Sequence, residues 1–494
     1  MKIVLSILLL VGLSMGVYGK PIIIGKNQAP INQHDYGILK KVAINAGIPV
    51  EKFKHYQRNH YIVGPEGFLY WDKKKNGVID GVDQPEFITI SRAKNSYMTD
   101  KEGFITALKI KETKFKDTDI LNKFKKIVSI NLTDNSVNDI NISNLSDLRF
   151  LRIFEDDKLR IITQLSNVNK LAYLDVDGLN TPNFKKFTGV KGLYKVDISG
   201  MGIESFAGLE NMPNLKELEV SANGKGTAKN FTSLAGIPKG HKLEKLKLSS
   251  SVTTDVKGIA NFTHLKRLEL WANKRALTDY TPLNKLKNLE ELELSVLGLT
   301  DLSFIDDMPE LKKITTFHSP ITSLAGVSNA PNLEYLELQR GKVAKIEHLD
   351  MNSRLKTLIL NGHQLTKIEG LTSLKKLSTL DLSLNKIKKI EGLDNNLCLE
   401  KLMIGGNPIK TLDNVYHLPI LSELGLNRTK ISEFPKWQQL KRLHTMPIGK
   451  KQLNPDVVHK NNFWWVNVPI KDFDLHMRNQ PEISDKERIQ VGCI

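Results

Sequence analysis

The chain has 494 residues, is 40% hydrophobic and 7% aromatic, and carries 71 Lys and Arg against 54 Asp and Glu, a formal net charge of +17. That is enough apolar material for a large core, and it argues against a disordered polyelectrolyte. Two cysteines, Cys398 and Cys493, are too few for a disulfide framework, and beyond the first residues no stretch nears the ~18 apolar residues of a membrane helix.

Residues 1–19 read as a secretory leader. Lys2 supplies the charge, Ile3 to Leu13 a short apolar run, and Val17-Tyr18-Gly19 a small-residue cleavage site after Gly19. The expected address is secreted or extracellular, with periplasm or cell surface as variants. An exported chain without a disulfide framework points to a bacterial product. Loss of Lys2 with the leader leaves +16, a charge that suits acidic surfaces of any kind: anionic glycan, anionic lipid or acidic protein. No nucleic-acid partner is expected, because no recognisable nucleic-acid module is present.

Residues 20–104 lack the periodicity of residues 105–448 and read as an N-terminal cap. QHDYGILKKVAINAGI (33–48) has helical spacing. DKKKNGVIDGVD (72–83) resembles an EF-hand calcium loop, with Asp72, Asn76, Gly77, Ile79, Asp80 and Asp83 at six loop positions. Lys74 puts an ammonium where calcium wants an oxygen, and Asp83 is shorter than the usual bidentate Glu. Calcium through Asp72, Asn76, Asp80 and Asp83 and a purely structural turn are both open; no other cofactor is expected.

From about 105 to 448 one phrase repeats. Its cleanest copy is LSTLDLSLNKIKKIEGL (377–393), and starts at Leu311, Leu333, Leu355, Leu377, Leu399 and Leu421 are 22 residues apart. Earlier starts fall at Leu289, Leu265, Leu243, Leu215, Leu193, Leu171, Leu148, Ile127 and Ile105, and a degenerate one at Leu440, for 16 coils in all. This is the leucine-rich repeat phrase, in which alternate leucines point inward and each half-core is completed by stacking. The ninth-position Asn is expected to bond backbone groups where the chain leaves the strand. The predicted fold is an α/β leucine-rich repeat solenoid with a parallel concave sheet, a helical N-terminal cap and a short C-terminal cap, on the order of 75 Å long at ~4.8 Å per coil. Two steps are longer, 28 residues from Leu215 and 24 from Leu265, and place insertions at SANGKGTAKN (221–230) and ANKRALTDY (272–280).

The solvent-facing positions of L-x-x-L-x-L form columns. The central one reads Asp175, Asp197, Glu219, Lys247, Glu269, Glu293, Thr315, Glu337, Ile359 and Asp381: seven acids in a basic protein. Glu217, Glu291 and Asp177, and Lys195, Lys245, Arg267 and Lys313, lie beside it. Most other lysines fall on the outer turns, as in KIKKIEG (386–392). The column is either a lattice paired off by flanking cations or a groove for a basic partner. Aromatics at exposed strand positions, Phe150, Phe154, Tyr173, Trp271, Phe317 and Tyr335, are candidate anchors. The candidate partner-binding set is Trp271, Glu269, Glu293, Phe317, Tyr335, Glu337, Asp175, Asp197 and Tyr173.

Residues 449–494 are the expected C-terminal cap, with NFWWVNVPI (462–470) covering the last coil. Two free or buried thiols are expected; a Cys398–Cys493 bridge requires the tail to fold back. No nucleophile elbow, phosphate loop or metal-spaced His pair occurs, so the expected protein is not an enzyme.

The phrases LTKIEGLTSLKKLSTLDLSLNKIKKIEGL (365–393) and ITSLAGVSNAPNLEYLEL (321–338) resemble internalin-type repeats of bacteria. The resemblance covers about 105–448 and implies an exported protein that recognises a protein, often a host surface receptor, on its concave face, in adhesion or host interaction. It carries over no receptor-contact residue. The absence of a wall anchor and of an immunoglobulin-like domain after the repeats departs from typical internalins. Two rival functions stand beside it: a binder of anionic glycan or lipid surfaces through the basic outer wall, and an exported enzyme acting through the N-terminal segment.

Overall fold

The computed structural model describes residues 22–24, 29–55, 61–63, 69–71, 94–154, 161–179, 181–200, 203–222, 234, 236–250, 256–272, 277, 279–296, 298–431, 439–443 and 483–493. The leader, the EF-hand-like loop with Asp72, Asn76, Asp80 and Asp83, most of both insertions and the NFWWVNVPI strand lie outside them. The chain divides into two compact units, residues 1–250 and 251–494; each is a parallel-sheet solenoid.

The first unit opens with a three-stranded antiparallel sheet, β1 (Ile22–Ile24), β3 (Tyr61–Val63) and β4 (Leu69–Trp71), with β3 central. Helix α1 (Gln33–Ala46) has Asn32 as N-cap, its side chain accepting from Asp35 N–H at 2.9 Å. The helix stops two residues earlier than its periodicity suggests, because Gly47 turns left-handed at φ 68°. Ile38, Leu39, Val42, Ala43 and Ala46 are buried. Asp35, also buried, accepts from the Ile105 N–H at 2.6 Å, so the cap is hydrogen-bonded directly to the first array strand.

The main sheet of this unit starts with β2 (Lys54–His55) parallel to β5 (Ser96–Thr99), and β5 antiparallel to β6 (Ile105–Lys111). From β6 on every pairing is parallel: β7 (Ser129–Thr133), β9 (Phe150–Phe154), β11 (Tyr173–Leu179), β12 (Lys195–Gly200), β13 (Glu217–Ala222) and β14 (Lys245–Ser250). A side ribbon pairs β8 (Asp139–Ser143) with β10 (Ile161–Ser166).

The second unit carries β15 (Arg267–Ala272), β16 (Glu291–Val296), β17 (Lys313–Phe317), β18 (Tyr335–Gln339), β19 (Thr357–Ile359), β20 (Thr379–Asp381), β21 (Lys401–Met403) and β22 (Glu423–Gly425), parallel and in chain order. In the cleanest coil Leu377, Leu380, Leu382, Ile387, Ile390 and Leu393 are all buried. The ninth-position amide does what its spacing predicts, and reaches further. Asn385 donates to Leu360 O at 2.8 Å and Leu382 O at 2.9 Å, and accepts from Leu365 N–H at 3.0 Å. Asn407 makes the same three contacts one coil on. Each amide therefore ties its own coil to the preceding one.

His363 occupies that position in the coil of Leu355. Its Nε2 lies 2.8 Å from Leu338 O and its Nδ1 3.1 Å from Val343 N. Those partners require a ring that donates from Nε2 and accepts at Nδ1, a neutral imidazole in the role of the amide; burial pushes its pKa down. A Cβ on Gly341, in the neighbouring coil, would lie 2.5 Å from the His363 ring, so the larger ring fits because its neighbour has no side chain.

The C-terminal segment folds back on this unit. Helix α2 (Asp485–Gln490) begins with a capping box between Ser484 and Glu487. Arg488 bonds Glu400 through Nε at 2.7 Å and Nη2 at 3.2 Å, and Arg442 pairs with Glu487. Cys398 and Cys493 form a disulfide with Cα atoms 5.4 Å apart, where separate thiols were the expectation. The bridge is possible because α2 delivers the tail to the coil of Leu399.

A loop of this size loses much unfolded-state entropy when closed. Cys493→Ser should lower stability by about 2–4 kcal/mol, read as the urea midpoint of the second unit's transition. An unchanged midpoint would show that the Arg488 and Glu487 ion pairs alone hold the tail.

Candidate functional site

The strand registers place the solvent-facing columns where the repeat phrase puts them. In the first unit Asp175 pairs with Asp197, Asp197 with Glu219 and Glu219 with Lys247. In the second, Glu269 pairs with Glu293, Glu293 with Thr315, Thr315 with Glu337, Glu337 with Ile359 and Ile359 with Asp381. Side-chain placement then separates the candidates into two groups.

In the first unit the candidates are largely covered. Tyr173 is 3% exposed and Phe150 4%, contrary to their expected exposure. Their rings pack 5.0 Å apart, and the Lys195 ammonium lies 5.6 Å over Tyr173. A solvent-facing position is thus closed by its neighbours in the column. Asp175, also buried, has Arg152 Nε 3.2 Å away. Burial raises the Asp175 carboxyl to about 7, against the pull of Arg152, and raises Asp197 to about 6, with Glu219 adding to the rise and Lys195 and Lys247 opposing it. The repeat phrase does not point to Arg152, because the column read from it begins one coil later.

In the second unit the patch is open. Trp271 on β15 is 40% exposed and donates its indole N–H to Glu293 on β16 at 3.0 Å. Along its column the register runs Trp271, Ser295, and Phe317 then Gln339, with the Ser295 hydroxyl donating to Phe317 O at 3.1 Å. The strands bearing Trp271 and Phe317 are thus two steps, roughly 10 Å, apart, with a small residue between. Tyr335 on β18 is half-buried; its hydroxyl donates to Glu337 at 2.6 Å, and Lys313 lies 5.0 Å over its ring.

The carboxylates differ in the same way. Glu269 is 7% exposed and held by Arg267 at 2.8 Å, and Arg267 also reaches Glu291 at 3.0 Å. Glu293 and Glu337 are half-buried, and among the described residues neither has an ion pair. Between them Thr315 is buried, with no hydrogen-bond partner for its hydroxyl among the described residues. A shallow depression opens here, lined by Arg267, Glu291, Glu293, Lys313, Thr315 and the leucines at 268 and 292. Glu269 is accordingly a support for Arg267, whereas Glu293 and Glu337 keep acceptor capacity. Among the described residues no group of three His, Cys, Asp or Glu is placed to hold a metal; no helix there is long and apolar enough to cross a membrane.

Residues 353–395 match the family described as leucine-rich repeats (two copies). A leucine-rich repeat protein of Leptospira interrogans is similar in structure: 21% identical, covering 68% of this chain and 81% of its own, TM-score 0.53. An internalin (inlF) of Listeria monocytogenes is 21% identical over 69% of this chain and 86% of its own, TM-score 0.44. The functional domain of InlJ, from the same organism, is 17% identical over 70% and 73%, TM-score 0.41. No curated protein matches the chain. Residues 353–395 are thus leucine-rich repeats, and the ladder of parallel strands is a leucine-rich repeat solenoid fold.

Raised carboxyls in the first unit make its stability pH-dependent. Between ~4, where an unfolded Asp titrates, and about 7, native Asp175 and Asp197 hold protons that the unfolded chain has released. Their contribution is therefore present at low pH and is lost as pH rises through that window. Asp175→Asn with Asp197→Asn should flatten the decline, read by urea titration across the window. Parallel curves for parent and variant would refute the assignment.

Proposed function

We propose that this is an exported, non-enzymatic protein that binds a partner protein on the solvent-facing side of its sheet, with strands β15–β18 as the contact. The partner presents a basic side chain there. One observation carries the reading: Trp271 is exposed and anchored by Glu293, Phe317 stands across Ser295, and Glu293 and Glu337 have no ion pair among the described residues. An Arg or Lys entering beside the indole would gain a cation–π contact and a charge-assisted hydrogen bond together. Aromatic anchors beside partly desolvated charges are the usual centres of binding energy.

Export rests on the leader read from residues 1–19. Similarity of the repeats to internalins suggests adhesion or host contact as the setting, with a host surface protein as the partner. Asp175, Asp197 and Tyr173, in the first unit, support the sheet there rather than the contact.

The test compares variants of the full chain, immobilised and exposed to host-cell surface proteins. Trp271→Ala with Glu293→Lys should weaken capture of the bound protein by at least ~30-fold, as loss of two central contacts does, with the far-ultraviolet circular dichroism unchanged. Capture equal to the parent's would overturn the reading. Glu269→Lys should instead lower stability, since it places a second cation against Arg267.

A further inference from the structure

The outer turns after strands β18 to β22 carry a band of positive charge. The segments 318–323, 340–345, 362–367, 384–389 and 406–411 hold no Asp or Glu, and 428–433 holds one, Glu433, at its end. They hold ten cations: Arg340, Lys342, Lys345, Lys367, Lys386, Lys388, Lys389, Lys410, Arg428 and Lys430. All ten are exposed. None is within ion-pair distance of a described carboxylate; the exposed glutamates of these coils, Glu347 and Glu369, and the half-buried Glu391 stand two positions past Lys345, Lys367 and Lys389.

Backbone geometry makes these cations neighbours. Lys342 N–H donates to Ile321 O at 2.6 Å, Gln364 to Val343 at 2.9 Å, Lys386 to Leu365 at 2.8 Å and Lys430 to Ile409 at 2.8 Å. On the strand side, Arg340 donates to Asn361 O at 2.9 Å and Leu384 to Gly405 O at 2.7 Å. The turns are thus stitched coil to coil on both edges of the band, at roughly the 4.8 Å spacing of paired strands. Lys345, Lys367, the pair Lys388 and Lys389, and Lys410 form a row over four consecutive coils.

Such a row costs repulsion, and its own turns provide no counter-charge. Several equivalent turns elsewhere do contain acids, among them Glu112, Asp117, Asp134, Glu204 and Asp301. Acid-free turns also occur singly at 178–183, 222–227 and 272–277, but five in succession, four of them bearing cations, occur in these coils, which is more than general basicity gives. Evenly spaced ammonium groups on a hydrogen-bonded scaffold match a linear chain bearing an anion on every unit. The band contains no Phe, Tyr or Trp on which bases could stack.

We propose that this flank is a second binding surface, for a linear anionic polysaccharide, sulfated or uronate-rich, lying along the row. It is separate from the sheet-face contact, and neither proposal depends on the other.

The test uses the full chain and a heparin-derived octasaccharide at low salt and at about 0.15 M. Lys345→Glu, Lys367→Glu and Lys389→Glu together should weaken binding by at least roughly tenfold. Lys185→Glu, Lys186→Glu and Lys191→Glu, exposed lysines of the first unit with the same change in net charge, should leave it within about threefold. If the reversal variant fails to fold by circular dichroism, the Ser variants at the same three positions take its place. Equal loss in both triples would show attraction by net charge alone and overturn the proposal. So would failure to bind the octasaccharide, or band-dependent binding to phosphatidylserine vesicles without it.

Discussion

Each coil of the array is incomplete until another is laid on it. A single coil has a leucine edge and a row of unpaired strand groups, and it cannot satisfy either alone. The buried side chains at 377, 380 and 382 need those at 355, 358 and 360 on one side and 399, 402 and 404 on the other. The amide at the ninth position adds a polar condition to the apolar one. Asn385 and Asn407 reach back one coil to satisfy carbonyls that would otherwise be buried unpaired, an omission that costs about 1–3 kcal/mol each. Asn352 and Asn396 do the same further round the coil, donating to Ala330 O at 2.8 Å and Leu374 O at 3.0 Å. Inward positions are consequently fixed, and outward ones are left to function.

That division decides which features are legible in the sequence. Leucines at alternate strand positions, with Asn and then Ile after them, are legible because their spacing is imposed by the coil itself. The columns of the sheet face are legible for the same reason: a 22-residue step puts equal positions side by side, and the registers Glu293–Thr315 and Thr315–Glu337 agree. Alternation says which side of the sheet a residue faces. It does not say what lies on top of it. Tyr173 and Phe150 face outward yet are closed over by each other and by Lys195, while Trp271, on the same side of the sheet and beside Ser295, is 40% exposed. The difference lies in the size of neighbours one coil away.

Other features have no local signal at all. His363 takes over the amide's work because both ring nitrogens find the partners that Nδ2 and Oδ1 would have found, and because Gly341 leaves room. Nothing in the phrase marks that substitution as tolerated. The Cys398–Cys493 bridge spans a sequence separation of 95 residues. It depends on where α2 docks, which depends in turn on Arg488 finding Glu400. Long-range pairings of this kind come from tertiary placement, so periodicity cannot forecast them.

Charge in the second unit is sorted by position within the coil. Two carboxylates without ion pairs, Glu293 and Glu337, stand on the sheet face, and cations without ion pairs collect on the turns after β18 to β22. The two are separated by the residue at which each coil leaves the strand, which is left-handed throughout: His318, Arg340, Gly362, Leu384, Gly406 and Arg428 have φ between 54° and 73°. Four of the six are not glycine, and that geometry costs each about 1 kcal/mol or more. The turn rotates the next segment off the sheet face, so the side chains beyond it stand on a different surface. Opposite charges a few residues apart in sequence are thereby kept from neutralising one another. A coil that let the chain run straight on would bring Lys386 toward Asp381, and neither surface would keep a charge for a partner.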